Sequence, residues 1–138
     1  MSAPRAGPRP RPDERIRWVR YAAACADHVL PLTGLARPET SRVIVAVRQW
    51  ADEPVDSNYR EVFDAYTALD KHTPSSPAAY SAVAAALCAA SAALFPNDSK
   101  SSAITAEHSA INAVSSAERE WQAQQRWFAD LASSEGMG

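Results

Sequence analysis

Residues 17–32, RWVRYAAACADHVLPL, constrain the fold more than any other stretch of the chain. Ile16, Val19, Ala23, Ala26 and Leu30 recur at steps of three and four, which places them on one face of a helix. Trp18, Ala22, Cys25 and Val29 make a second apolar row beside it, while Arg17, Arg20 and Asp27 fall on the opposite side. Two adjacent rows give a stripe wide enough to meet more than one neighbour. Ala22, Ala23, Ala24 and Ala26 admit a second helix axis towards the short end of the ~8–10 Å packing range. Pro31 cannot continue the helix, and Gly34 supplies backbone freedom for a turn.

The same periodicity recurs downstream. A helix opening near Pro38 buries Val43, Ile44, Val47 and Trp50, turns Arg42, Arg48 and Gln49 outward, and ends at Pro54. Its β-branched run, Val43-Ile44-Val45, has no second strand-like run to pair with and therefore reads as helix. Asp56 or Ser57 caps a third helix with Tyr59, Val62, Phe63, Tyr66 and Leu69 on its stripe. Ser76 followed by Pro77 opens a fourth, whose strongest side runs through Tyr80, Val83, Ala84, Leu87, Ser91 and Leu94. Residues 78–95 are uncharged and long enough to raise the question of a membrane span. They are mostly alanine with two serines, a composition of little insertion energy, so they read as a central, nearly all-round buried helix and no membrane partner is expected. From Ser99 to about Ala132 the pattern is again helical. Ile104, His108, Ile111 and Val114 share a face, Ser115-Ser116 suggests a break, and Trp121, Trp127, Phe128 and Leu131 form the apolar part of the last turns. The expectation is an all-α chain: a single compact bundle of five to six mostly antiparallel helices over residues 13–132. A disordered tail rich in proline and arginine (1–12) and a flexible C-terminal tail (133–138) are expected to flank it.

With 138 residues the chain is long enough for one core without disulfide or metal staples. A net charge of −2 argues against a nucleic-acid partner, which calls for a basic surface. The charge is uneven, however: residues 1–20 hold six arginines, and residues 52–70 hold six acids against Arg60 alone. Asp52, Glu53, Asp56, Glu61 and Asp64 are therefore a candidate surface for a basic partner. Cys25 and Cys88 sit among alanines and read as buried, reduced thiols. No apolar segment follows the N-terminal arginines, so no secretory leader is expected and the cytoplasm is the expected location.

Candidate chemistry is sparse. His28, His72 and His108 show no metal-ligand spacing with one another, so neither a metal nor another cofactor is expected. Cys25 and His28 stand at i and i+3, but a nucleophile needs an exposed thiolate and an oxyanion site, and Cys25 lies mid-helix among alanines. The four glycines form no phosphate-cradling loop, and no serine has the flanking glycines of a nucleophile elbow. No catalytic residue is assigned. Trp18, Cys25, His28, Trp50 and His108 are the residues that would line a pocket between helices if the bundle held a ligand. His108, on the stripe with Ile104 and Ile111, reads first as a hydrogen-bonded core histidine.

The run Ala24-Cys25-Ala26-Asp27-His28-Val29-Leu30-Pro31 resembles the opening motif of the Imm5-like family of bacterial immunity proteins. The helix from Pro38, ending Trp50-Ala51-Asp52, is similar to the family's second helix, and Glu107-His108-Ser109-Ala110 resembles part of its later alanine-rich helices. The likeness covers residues 18–116; the aromatic end, 121–131, and the N-terminal tail depart from it. It implies a small all-α protein that binds and occludes a cognate protein toxin without catalysis. A small helical enzyme or ligand-binding accessory protein of a biosynthetic cluster is the alternative, and a homodimer-forming structural protein is the third reading.

Overall fold

The computed structural model describes residues 12–134. They form five α-helices: α1 (Pro12–His28), α2 (Arg37–Asp52), α3 (Asp56–Asp70), α4 (Pro77–Leu94) and α5 (Ser99–Ser134). Short 3₁₀ turns at Leu30–Leu32, Gly34–Ala36 and Pro96–Asp98 make connections, and no strand occurs among the described residues. Successive helices run antiparallel, as their cross-contacts record: Arg20 meets Asp52, Arg42 meets Glu61, Tyr59 meets Leu94, and Ala78 meets Glu120. The architecture is the all-α bundle expected from the periodicity.

The bundle is built on α4, which packs against each of the other four helices. Its buried positions are Ala78, Ala79, Ala82, Val83, Ala85, Ala86, Ala89, Ala90, Ala92, Ala93 and Leu94, so nearly all of its circumference is alanine in contact with a neighbour. This accounts for its hydropathy without a membrane. Of the expected ridge, Val83 and Leu94 are buried, whereas Tyr80 is 66% exposed and Ala84, Leu87 and Ser91 are only half-buried. On a helix enclosed by four others there is room at the contacts for methyl groups, and the larger side chains are displaced to the rim.

Both ends of α4 are satisfied by other parts of the chain. The Ser76 hydroxyl accepts from the Ala79 amide at 3.1 Å, and the Glu120 carboxylate accepts from the Ala78 amide at 3.2 Å, where a negative group also suits the helix dipole. At the other end, the Ser99 hydroxyl donates to the Ala92 carbonyl (2.6 Å), the Arg15 guanidinium to Ala93 (2.6 Å) and the Tyr59 hydroxyl to Leu94 (3.0 Å). The last carbonyls of a helix have no partner within it, so these three donors, from α5, α1 and α3, tie three helices to one terminus. Arg15 also lies over the Trp50 ring at 4.6 Å, and burial lowers its affinity for the proton.

Other elements follow their local chemistry. Val19, Ala22, Ala23 and Ala26 of α1 are buried; the helix stops at His28, and Leu30 belongs to the 3₁₀ turn that Pro31 enters. Gly34 has φ 63°, a left-handed conformation that strains any residue with a Cβ. Val43, Ile44, Val47 and Trp50 form the buried face of α2. On α3, Val62 and Leu69 are buried, but Phe63 stays 54% exposed. The helix α5 is continuous through Ser115-Ser116, because Ser116 is buried on the packed face and small enough to sit against α4 without interrupting the hydrogen-bond ladder. Pro12 opens α1 and Ser133 and Ser134 belong to α5; the remainder of both expected tails lies outside the described residues.

Replacing Arg15 with Ala removes the bond to Ala93 and the stacking on Trp50, and should lower the urea-unfolding free energy by about 1–3 kcal/mol. Ala89→Leu forces extra volume into a fully buried contact and should cost about 1–3 kcal/mol in the same assay.

Candidate functional site

Three surface regions hold the candidate groups. The first is a groove of about 480 Å³ between α1 and α5, lined by Ala24, Cys25 and His28 on one side and Glu107, Ala110, Ile111, Val114 and Ser115 on the other. Alanines at the floor and larger apolar groups at the lip make it shallow and largely apolar. At its edge the Tyr21 hydroxyl donates to the Glu107 carboxylate. That bond holds the phenol proton and raises the Tyr21 pKa well above its ordinary value. Burial raises the pKa of Cys25, with a smaller opposing contribution from Tyr21, and burial alone raises that of Cys88. Both cysteines are free and half-buried. A thiol kept neutral is a poor nucleophile, so the groove offers shape, apolar surface and hydrogen-bonding edges.

The structure brings together two of the five pocket candidates, Cys25 and His28. Trp18 lies further along α1, edge-to-face with Tyr21 at a centroid distance of 6.3 Å and 5.8 Å from the Lys100 ammonium. Trp50 is buried beneath Arg15. His108 is exposed and does not line the groove, which overturns its reading as a core histidine. The reason is a phase error of one residue: α5 buries Ala103, Ala106, Ala110 and Ala113, so the bulkier set Ile104, His108, Ile111 and Val114 is turned outward. Tyr21 was not singled out by sequence, and Glu107 entered only through the family resemblance. Their spacing carries no signal, since they meet across 86 residues of chain.

The second region is the acidic surface at α2 and α3. All five predicted residues lie there, but two are partnered. Asp52 pairs with Arg20 at 2.8 Å, and Glu61 pairs with Arg42 at 2.6 Å. Glu53, Asp56 and Asp64 are exposed and make no ion pair among the described residues. Asp56 and Phe63 are seven residues apart on α3, hence on one face, with Tyr59 one turn before Phe63 and Asp64 beside it. The surface is an exposed aromatic pair edged by carboxylates, rather than a continuous block of charge. Among the described residues, no group of three or more His, Cys, Asp or Glu side chains is placed to hold a metal ion.

The third region is the end of α5, where Trp121, Trp127 and Phe128 are 60%, 59% and 62% exposed. Trp127 and Phe128 stack edge-on at 4.9 Å. These tryptophans therefore belong to the surface and line no interior pocket.

The raised thiols give a pH dependence of definite sign. A group whose proton is held more tightly in the folded state contributes stability that is present below its unfolded pKa and lost as pH rises through the folded one. The urea midpoint should fall between pH 8 and pH 10, and the fall should be smaller in Cys88→Ala. Iodoacetamide at pH 8 should modify both thiols more slowly in the folded chain than in urea.

Comparisons with protein-family models, with curated proteins and with solved structures returned no match for this chain.

Proposed function

We propose that the protein is a binding protein of the immunity type, which docks on a protein toxin and blocks it by occlusion without chemistry of its own. The observation that carries this reading is the pairing of an alanine-packed interior with a surface of α3 on which Tyr59 and Phe63 stand exposed beside Asp56 and Asp64. Aromatic side chains ringed by polar groups match the anatomy of protein interfaces, in which a few aromatic anchors supply most of the affinity. The free carboxylates would attract a basic toxin surface and speed encounter. A stable inhibitory contact buries on the order of 1,200–2,000 Å² in total. The resemblance of residues 24–31 to the opening motif of immunity proteins points the same way.

The test uses the toxin encoded beside this gene. Reversing Asp56 and Asp64 to Lys should slow association several-fold at low salt and flatten its salt dependence, since exposed charges act within about 10 Å at 0.1 M salt. Phe63→Ala should instead speed dissociation. If none of the three substitutions alters binding, the α2–α3 face is not the interface.

A second reading, a ligand-binding accessory protein, is favoured by the groove between α1 and α5, whose 480 Å³ falls within the range of small-molecule sites. On that reading Ile111→Arg should abolish binding of an apolar fluorescent probe, whereas Phe63→Ala should leave it unchanged.

A further inference from the structure

The groove between α1 and α5 has two unlike ends. The two helices run parallel, since Trp18 lies beside Lys100 and Tyr21 meets Glu107. From Glu107 the groove follows both helices to His28 on α1 and Ser115 on α5. Glu107 and Ser115 are separated by a rise of about 12 Å along α5. Between these ends the lining is apolar: Ala24, Ala110, Ile111 and Val114, with the Cys25 thiol kept neutral by burial. Ile111 is 55% exposed and Val114 47%, so both side chains offer apolar surface above the alanines.

The charge of the lining is concentrated at the first end. The Glu107 carboxylate is half-buried and makes no ion pair among the described residues. Its Oε2 accepts from the Tyr21 hydroxyl, which ties the group to the edge of the groove. Its Oε1 has no protein donor among the described residues. The cations of the neighbourhood are engaged or set apart. Arg20 pairs with Asp52, and Arg48 with Asp27. Arg17 lies in a separate depression with Glu14 and Trp18. Lys100 sits against Trp18, about 10 Å before Glu107 along α5. His28 is at the far end of the groove, about 10 Å beyond Tyr21 along α1.

A carboxylate at the head of an apolar channel selects a cation carried on an apolar body. We propose that the groove takes a small organic amine, with its ammonium on Glu107 and an apolar body of about 10 Å over Ala110, Ile111 and Val114. The ammonium donates to the open carboxylate oxygen, and such a charge-assisted bond is roughly twice as strong as a neutral one. An alcohol of the same shape makes only the neutral bond, and a carboxylate is repelled. The apolar walls supply the other half of the selection. An inorganic cation or a bare polyamine leaves Ile111 and Val114 in water and gains nothing from them. A polar group at the ligand's distal end meets His28 and Ser115. The inference rests on the ligand-binding reading of this groove and adds the charge and shape of what it holds. It leaves the α3 surface free for a protein partner.

The test uses three probes of one shape: naphthylethylamine, naphthylethanol and naphthylacetate. Their dissociation constants for the full chain are read at neutral pH by ligand-observed NMR. The amine should bind about ten-fold more tightly than the alcohol, and the acetate more weakly than either. Raising the salt from about 0.05 M to about 0.5 M should weaken the amine and leave the alcohol unchanged. Glu107→Gln should bring the amine to the level of the alcohol without altering the alcohol, with far-UV circular dichroism unchanged. Ile111→Arg should weaken amine and alcohol alike. If amine and alcohol bind equally and Ile111→Arg weakens both, the groove is a ligand site and the amine inference is wrong. If the amine keeps its advantage in Glu107→Gln, or its affinity in Ile111→Arg, the ammonium is held elsewhere and the inference is wrong. Absence of binding by every probe up to millimolar concentration overturns the inference together with the ligand-binding reading.

Discussion

The two ends of one alanine helix hold this structure together. A helix completes its own hydrogen bonds everywhere except at its termini, and in the middle of a bundle those termini are shielded from water. At the C-terminal end of α4, three carbonyls accept from Ser99, Arg15 and Tyr59, residues drawn from three different helices. At the N-terminal end, Ser76 and Glu120 accept from the first amides. Each neutral bond is worth about 1 kcal/mol net, and that of Arg15 more because it is charged. Their larger effect is geometric: each donor fixes how its own helix lies along α4, and the alanine contacts then fix how close it comes.

Close approach has a cost that appears at the surface. Where helices meet through alanine methyl groups, there is little room for larger apolar side chains at the contact. Tyr80, Ile104, Ile111 and Val114 are exposed on helices whose inner faces are mostly alanine. The groove between α1 and α5, with Ile111 and Val114 at its lip, arises from this cause.

The candidate surfaces are separated by the architecture. Helices α2 and α3 pack on each other and on α4, whereas α5 packs on α4 and α1.

What the sequence determined by itself was the helical class, the positions of the helices and the central place of α4. These rest on local chemistry: the three-and-four rhythm, Ser76 before Pro77, and the breaks at Pro31 and Pro54, all of which act within a few residues of themselves. Only the tertiary structure decided which side of α4 and α5 is inside. In α4 and α5 alanine and the bulky residues both recur with helical period, and reading the bulky set as core put His108 inward. Packing density resolved it the other way, because axes held close together leave space for alanine alone at the contact. For the same reason neither the bond between Tyr21 and Glu107 nor the ion pairs that neutralise Asp52 and Glu61 could be read from residue order. They join positions far apart in the chain, and the packing of alanines brings them together.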